Sequence, residues 1–161
     1  MSPEGLTAEA RVGMHSAMLG SAEMIRDAVD VYGKARPVRG SEVLQGMYRI
    51  VLVASTDEIA ERLARPAFKD WFDKLEHLWR EHGIEAPLIG ALREYETARE
   101  VGALVVGSPE RVVDELATQI EISGVNYVLT EIAFGDLAHA DEMTSLELFI
   151  DQVKPALANT S

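Results

Sequence analysis

A chain of 161 residues has the size of one ordinary domain, because single hydrophobic cores serve about 100–200 residues. Its 15 Lys plus Arg against 27 Asp plus Glu leave a net charge of −12, which repels nucleic acid and anionic lipid and favours neutral, small or cationic partners. Cysteine is absent, which excludes disulfides and thiolate chemistry, and neither a membrane-length apolar run nor a secretory signal is present, so a cytoplasmic protein is expected.

Strand-like and helix-like segments alternate along the chain. A weak apolar run, Met14 to Leu19, precedes Ser21, which is placed to cap a helix carrying Met24, Ile25, Ala28, Val29, Val31 and Tyr32 at helical spacing, with Pro37 and Gly40 closing it. Tyr48 to Ala54 is apolar at consecutive positions and rich in β-branched residues, the pattern of a parallel strand covered on both faces. Ser55-Thr56-Asp57-Glu58 then reads as a capping box with Ser55 as the cap. The helix it opens meets Pro66, where a kink or restart is expected. It continues with Phe68, Trp71, Phe72, Leu75, Leu78 and Trp79, a stripe expected to be core covering the sheet, and stops at Gly83.

Residues Ile84 to Val101 carry a short helix through Tyr95. Ala103 to Val106 is a strand, Ser108 and Pro109 open a helix, and Gly124 ends it. Val125 to Ala133 is a further strand. The last helix should turn Met143, Leu146, Phe149, Ile150 and Val153 inward and stop at Pro155. The count is about four strand-then-helix units, which suit a small open α/β sheet or half of an eight-unit barrel.

Several runs in the last third occur together: Gly107-Ser108-Pro109-Glu110-Arg111-Val112-Val113, Gly124-Val125-Asn126-Tyr127, Phe134-Gly135-Asp136-Leu137, Ser145-Leu146-Glu147-Leu148-Phe149 and Val153-Lys154-Pro155-Ala156-Leu157. In this order they resemble the C-terminal signature of luciferase-like flavin monooxygenases. Val51-Leu52-Val53-Ala54 with Thr56-Asp57-Glu58, and Ala64-Arg65-Pro66-Ala67-Phe68, are similar to the middle of that family.

The resemblance implies a partial (half) TIM barrel of about four parallel βα units, the fifth to eighth of a luciferase-like (β/α)8 barrel, in one domain spanning the chain. It also implies reduced FMN as cofactor, or a deazaflavin (F420) in some branches, with molecular oxygen acting on a small organic substrate. The implied partners are a separate flavin reductase and either a second copy or a complementing N-terminal half-barrel chain. The units that hold the family's active-site histidine have no counterpart, so no catalytic residue is assigned.

Ser2, in Ser2-Pro3-Glu4, resembles the segment that holds the flavin phosphate; as a residue alone it reads as a simple cap at a frayed terminus. Glu131, Phe134 and Gly135 fall at the C-terminal end of the last strand, where barrel enzymes place functional groups, and with His15 on the first strand they are the mouth candidates. His15, His77, His82 and His139 lack metal-ligand spacing, so no metal site is expected. Gly107-Ser108-Pro109-Glu110 lacks the glycine spacing and lysine of a phosphate loop and reads as a helix cap. Two other readings stay open: a non-catalytic flavin-binding relic that keeps the half-barrel, and a self-contained small α/β domain whose likeness is ancestral.

Overall fold

Nine residues, Gln45–Val53, form the strand on which the sheet is built. The computed structural model describes residues 14–16, 19–35, 44–84 and 92–158. The elements are β1 (Met14–Ser16), α1 (Ala22–Ala35), β2 (Gln45–Val53), α2 (Asp57–Glu81), α3 (Tyr95–Glu100), β3 (Leu104–Gly107), α4 (Pro109–Ser123), β4 (Tyr127–Glu131), α5 (His139–Leu148), a π-helical turn (Phe149–Val153) and α6 (Lys154–Ala158).

All three other strands pair with β2, and all pairings are parallel. The backbone of a strand addresses its two neighbours with alternate residues. Ile50 and Ala54 donate to the carbonyls of Ala103 and Gly107, so the even residues of β2 face β3; the Gln45 carbonyl accepts from Asn126, so the odd residues face β4. β3 and β4 therefore flank β2 on opposite edges. Side chains alternate between faces in the same way. Ile50, Leu52, Leu104 and Val106 pack under α2 and α3, whereas Met47, Val51, Val53 and Val105 pack under α1, α4 and the C-terminal helices.

Two helical layers thus enclose one sheet. The direction of travel reverses after β3, and a right-handed crossover that reverses direction must change face, which is why α2 and α4 lie on opposite sides. This is a departure from the half-barrel expectation, in which consecutive strands lie side by side: β4 is beside β2, not β3. The physical reason sits on the outer edge of β3. Its Leu104 carbonyl points away from β2 and accepts from the Arg99 guanidinium at 3.0 Å, so a side chain stands where a further strand would pair.

Local expectations fare unevenly. Ser21 Oγ accepts from Met24 N–H, and Ser108 Oγ accepts from Arg111 N–H at the start of α4, which ends at Gly124 with φ of 68°. The cap of α2 falls on Thr56, whose Oγ1 accepts from Ile59 N–H, one residue later than expected, because Ala54 is still bonded to Gly107 across the sheet. α2 runs through Pro66 without a break. Burying Phe68 and Phe72 is worth about 1.5–3 kcal/mol each, enough to offset the roughly 3 kcal/mol a helix-interior proline costs.

Pro155 does not stop the chain either. The wide turn at Phe149–Val153 absorbs its missing N–H, and the helix resumes at Lys154. The same turn breaks the helical register, so Val153 is buried but Ile150 is exposed; Met143, earlier in α5, is exposed too, against expectation. The end of α1 near Pro37 and Gly40 lies outside the described residues.

Candidate functional site

In an open parallel sheet the crevice available to a ligand lies at the carboxyl ends of the strands where the strand order reverses. Here that point is between β2 and β4. β4 ends at Glu131, level with Ile50, three residues short of the end of β2. The donor this leaves on Val53 is taken by Ser145 Oγ at 2.9 Å, from a buried position on α5.

Glu131 lies on the α2 face of β4. Its carboxylate accepts from the Tyr48 hydroxyl and from Trp71 Nε1, the latter at 3.2 Å. Burial, reinforced by the bond to Glu131, pushes the Tyr48 hydroxyl well above the usual tyrosine range, so it stays a donor. Phe134 is buried in the same cluster. Gly135 has φ of 67°, and a Cβ there would sit 2.0 Å from the Ala67 carbonyl oxygen, so only glycine lets this loop lie against α2. Glu131, Phe134 and Gly135 are thus brought together at the reversal point, with their contacts directed to Tyr48, Trp71 and Ala67. His15 lies on β1, its side chain outside the described residues, as is Ser2. His139 is exposed, 3.4 Å from Glu142; His77 is exposed beside Glu81.

The carboxyl ends of β2 and β3 are tied to each other. Asp57 Oδ1 accepts from Ser108 N–H at 2.7 Å and Oδ2 is 3.4 Å from Arg111 Nη1. The backbone N–H of Ser108, aided by Arg111, holds the Asp57 carboxyl below its ordinary range. An acidic side chain therefore already occupies the positive end of α4. A flavin phosphate does not fit there, and Ser108 acts as the cap that the sequence indicates.

Two features escape sequence reasoning. A cleft of about 720 Å³ between α2, α3 and α4 holds a network in which Arg99, 12% exposed, forks over Glu115 at 3.0 and 3.1 Å and lies 3.6 Å from Glu61. Tyr95 donates to Glu61 at 2.7 Å, and Arg65 stacks over the Tyr95 ring at 4.3 Å while pairing with Glu96. Second, Arg49 is fully buried on β2 with no carboxylate partner among the described residues. It donates from Nε to Gln119 at 2.5 Å and from Nη1 to the Tyr48 carbonyl at 2.8 Å, while Nη2 has no partner among the described residues. Burial lowers its pKa to about 10. No sequence signal marks either feature, since a charged residue in a helix or strand reads as a solvated face.

No family model matches this chain. It is 32% identical over 139 residues to the uncharacterized protein y4wF of Sinorhizobium fredii (strain NBRC 101917 / NGR234), an alignment that takes in 84% of this chain and 40% of that protein. Among solved structures it is similar to the oxygenating constituent of 3,6-diketocamphane monooxygenase from the CAM plasmid of Pseudomonas putida, a type II Baeyer–Villiger monooxygenase in complex with FMN. That match has a TM-score of 0.69 and 21% identity, over 93% of this chain and 44% of that one. It is also similar to the coenzyme F420 dependent tetrahydromethanopterin reductase of Methanopyrus kandleri, with a TM-score of 0.60 and 16% identity, over 97% of this chain and 49% of that one. The chain spans less than half the length of each of these proteins. What it shares with the solved ones is their fold.

Proposed function

We propose that this chain is a section of a luciferase-like, flavin-dependent monooxygenase, corresponding to the C-terminal part of such an enzyme. The observation that carries the reading is the likeness of fold, over 93% of the chain, to a monooxygenase in complex with FMN, together with the motif order from Gly107 to Leu157. The cofactor is reduced FMN, with a deazaflavin as the alternative, since a reductase dependent on coenzyme F420 shares the fold. When bound, the reduced flavin supplies electrons to molecular oxygen for attack on a small organic substrate.

This chain's own contribution is positional. Ser2 and adjacent amides hold the flavin phosphate, a role that the start of α4 does not offer because Asp57 fills it. Glu131, Phe134, Gly135 and His15 belong to the mouth. Glu131 keeps its carboxylate oriented through Tyr48 and Trp71, and Phe134 excludes water. A separate reductase delivers the reduced flavin, and turnover needs strands beyond those of this chain.

Titrating FMN into the purified chain and following flavin fluorescence tests this. Binding with a Kd on the order of micromolar, weakened in Ser2→Ala, is expected; a chain that leaves the fluorescence of FMN and of F420 unchanged up to about a hundred times that concentration overturns the reading. A non-catalytic relic would bind flavin yet form no oxygenated product in the presence of reduced flavin, oxygen and the complementing polypeptide.

A further inference from the structure

We propose that the cleft between α2, α3 and α4 binds a free amino acid with a cationic side chain, its carboxylate seated on Arg49 and its two ammonium groups on Glu100 and Asp114. The cleft lies beside the outer edge of β3 and shares no lining residue with the mouth candidates Glu131, Phe134 and Gly135, so this site goes beyond the flavin reading. Two independent observations carry it.

The first is a guanidinium without a counter-charge. Arg49 has no exposed surface, and its Nη2 has no partner among the described residues. Its Nε donates to Gln119 Oε1 at 2.5 Å, and Gln119 lines the cleft, so one side chain separates the guanidinium from the cavity. The Nε–H and one Nη2–H of a guanidinium leave the same edge in parallel, a fork that a carboxylate accepts with both oxygens. The Gln119 amide has one oxygen to offer and fills half of that fork. Burial also draws the Arg49 pKa down to about 10, the mark of a charge left uncompensated. A ligand carboxylate that takes the place of the Gln119 oxygen satisfies both donors and supplies the missing charge, while the half-buried Gln119 turns into the cleft.

The second is the charge of the cleft itself. Its volume of about 720 Å³ falls in the range of small-molecule sites, about 300–1,000 Å³. Six carboxylates line it against three guanidiniums. Arg65 pairs with Glu61 and Glu96, and Arg99 and Arg111 share Glu115. Glu23 is held at the start of α1 by its own N–H and by Ser21. Glu100 and Asp114 are exposed and form no ion pair among the described residues. The cleft thus asks for positive charge at its surface and negative charge at depth. A plain anion meets Glu100 and Asp114, and a plain amine leaves Arg49 bare. A molecule with one carboxylate and two ammonium groups satisfies all three side chains.

The test titrates the full chain with L-lysine, with cadaverine, which is lysine without its carboxylate, and with acetate, by isothermal titration calorimetry. Lysine should bind with a Kd on the order of 0.1–1 mM, at least tenfold tighter than either fragment. Arg49→Met should lower lysine to the level of cadaverine. Gln119→Glu sets a tethered carboxylate on the same fork and should do likewise, which keeps the test decisive if Arg49→Met fails to fold. Glu100→Gln combined with Asp114→Asn should weaken lysine and cadaverine alike. Equal binding of lysine and cadaverine to the wild type overturns the proposal, as does no saturation by lysine below about 50 mM. A preference for lysine that persists in either folded fork variant, or lysine binding indifferent to the double carboxylate variant, overturns it too.

Discussion

The guanidinium of Arg99 donates to the Leu104 carbonyl at 3.0 Å and, with the same Nη1, to Glu115 at 3.0 Å. One side chain thereby caps an outward carbonyl of β3 and ties α3 to α4. Arg99→Ala removes the cap and leaves Glu61 and Glu115 facing each other, and hydrogen bonds to charged groups are worth about 1.5–3 kcal/mol each. The expected loss is about 3 kcal/mol in urea unfolding, accompanied by concentration-dependent aggregation through the freed edge. Unchanged stability would show that the clasp contributes nothing.

Ser145 is buried and its hydroxyl serves a backbone donor 92 positions away, on Val53. Ser145→Ala leaves that donor unsatisfied, which costs about 1–3 kcal/mol. Ser145→Val, which adds bulk without an acceptor, should cost at least as much. Chemical denaturation of both variants checks this.

Gly135 and Gly124 share a left-handed backbone but not their surroundings. A Cβ at Gly135 would collide with the Ala67 backbone, whereas one at Gly124 would meet nothing within 4 Å. Gly124→Ala should cost about 1–2 kcal/mol for conformation alone, and Gly135→Ala clearly more, because α2 must move. Equal losses, by unfolding midpoint, would contradict the contact.

Asp57 has its pKa lowered by Ser108 N–H and Arg111. A carboxylate with a depressed folded pKa adds stability that is fully present above its unfolded value of about 3.9 and is lost as pH falls through the folded one. The wild type should therefore exceed Asp57→Ala by about 1 kcal/mol at pH 7, and the gap should close progressively below about pH 4. A gap independent of pH between 7 and 2.5 would refute the ionic contribution.

Arg49 is a buried cation with Nη2 unpartnered among the described residues. Replacing buried charges by apolar side chains of similar volume is often neutral or stabilising by about 1–4 kcal/mol. Arg49→Met should accordingly unfold at equal or higher denaturant concentration than the wild type. A loss above about 2 kcal/mol would show that the bonds to Gln119 and the Tyr48 carbonyl outweigh the desolvation of the charge.

The sequence by itself determined where most elements begin and end and which of them are buried strands. Those signals are local: Ser108-Pro109 and Gly124 act through the nearest turn of helix, and the unbroken apolar run at Ile50–Val53 states that both faces of β2 are covered. That Glu131, Phe134 and Gly135 fall at or just after the end of β4 was legible for the same reason, because a strand end can be read from its own residues. Tertiary structure alone decided the order of the strands, the burial of Arg49, and the partners of Glu131 and Ser145. Each of these depends on groups far apart along the chain, Tyr48 and Trp71 for Glu131 and Val53 for Ser145. An arginine that closes a strand edge and one that lies on a solvated helix look alike until the chain has folded, because what distinguishes them is the backbone carbonyl they reach.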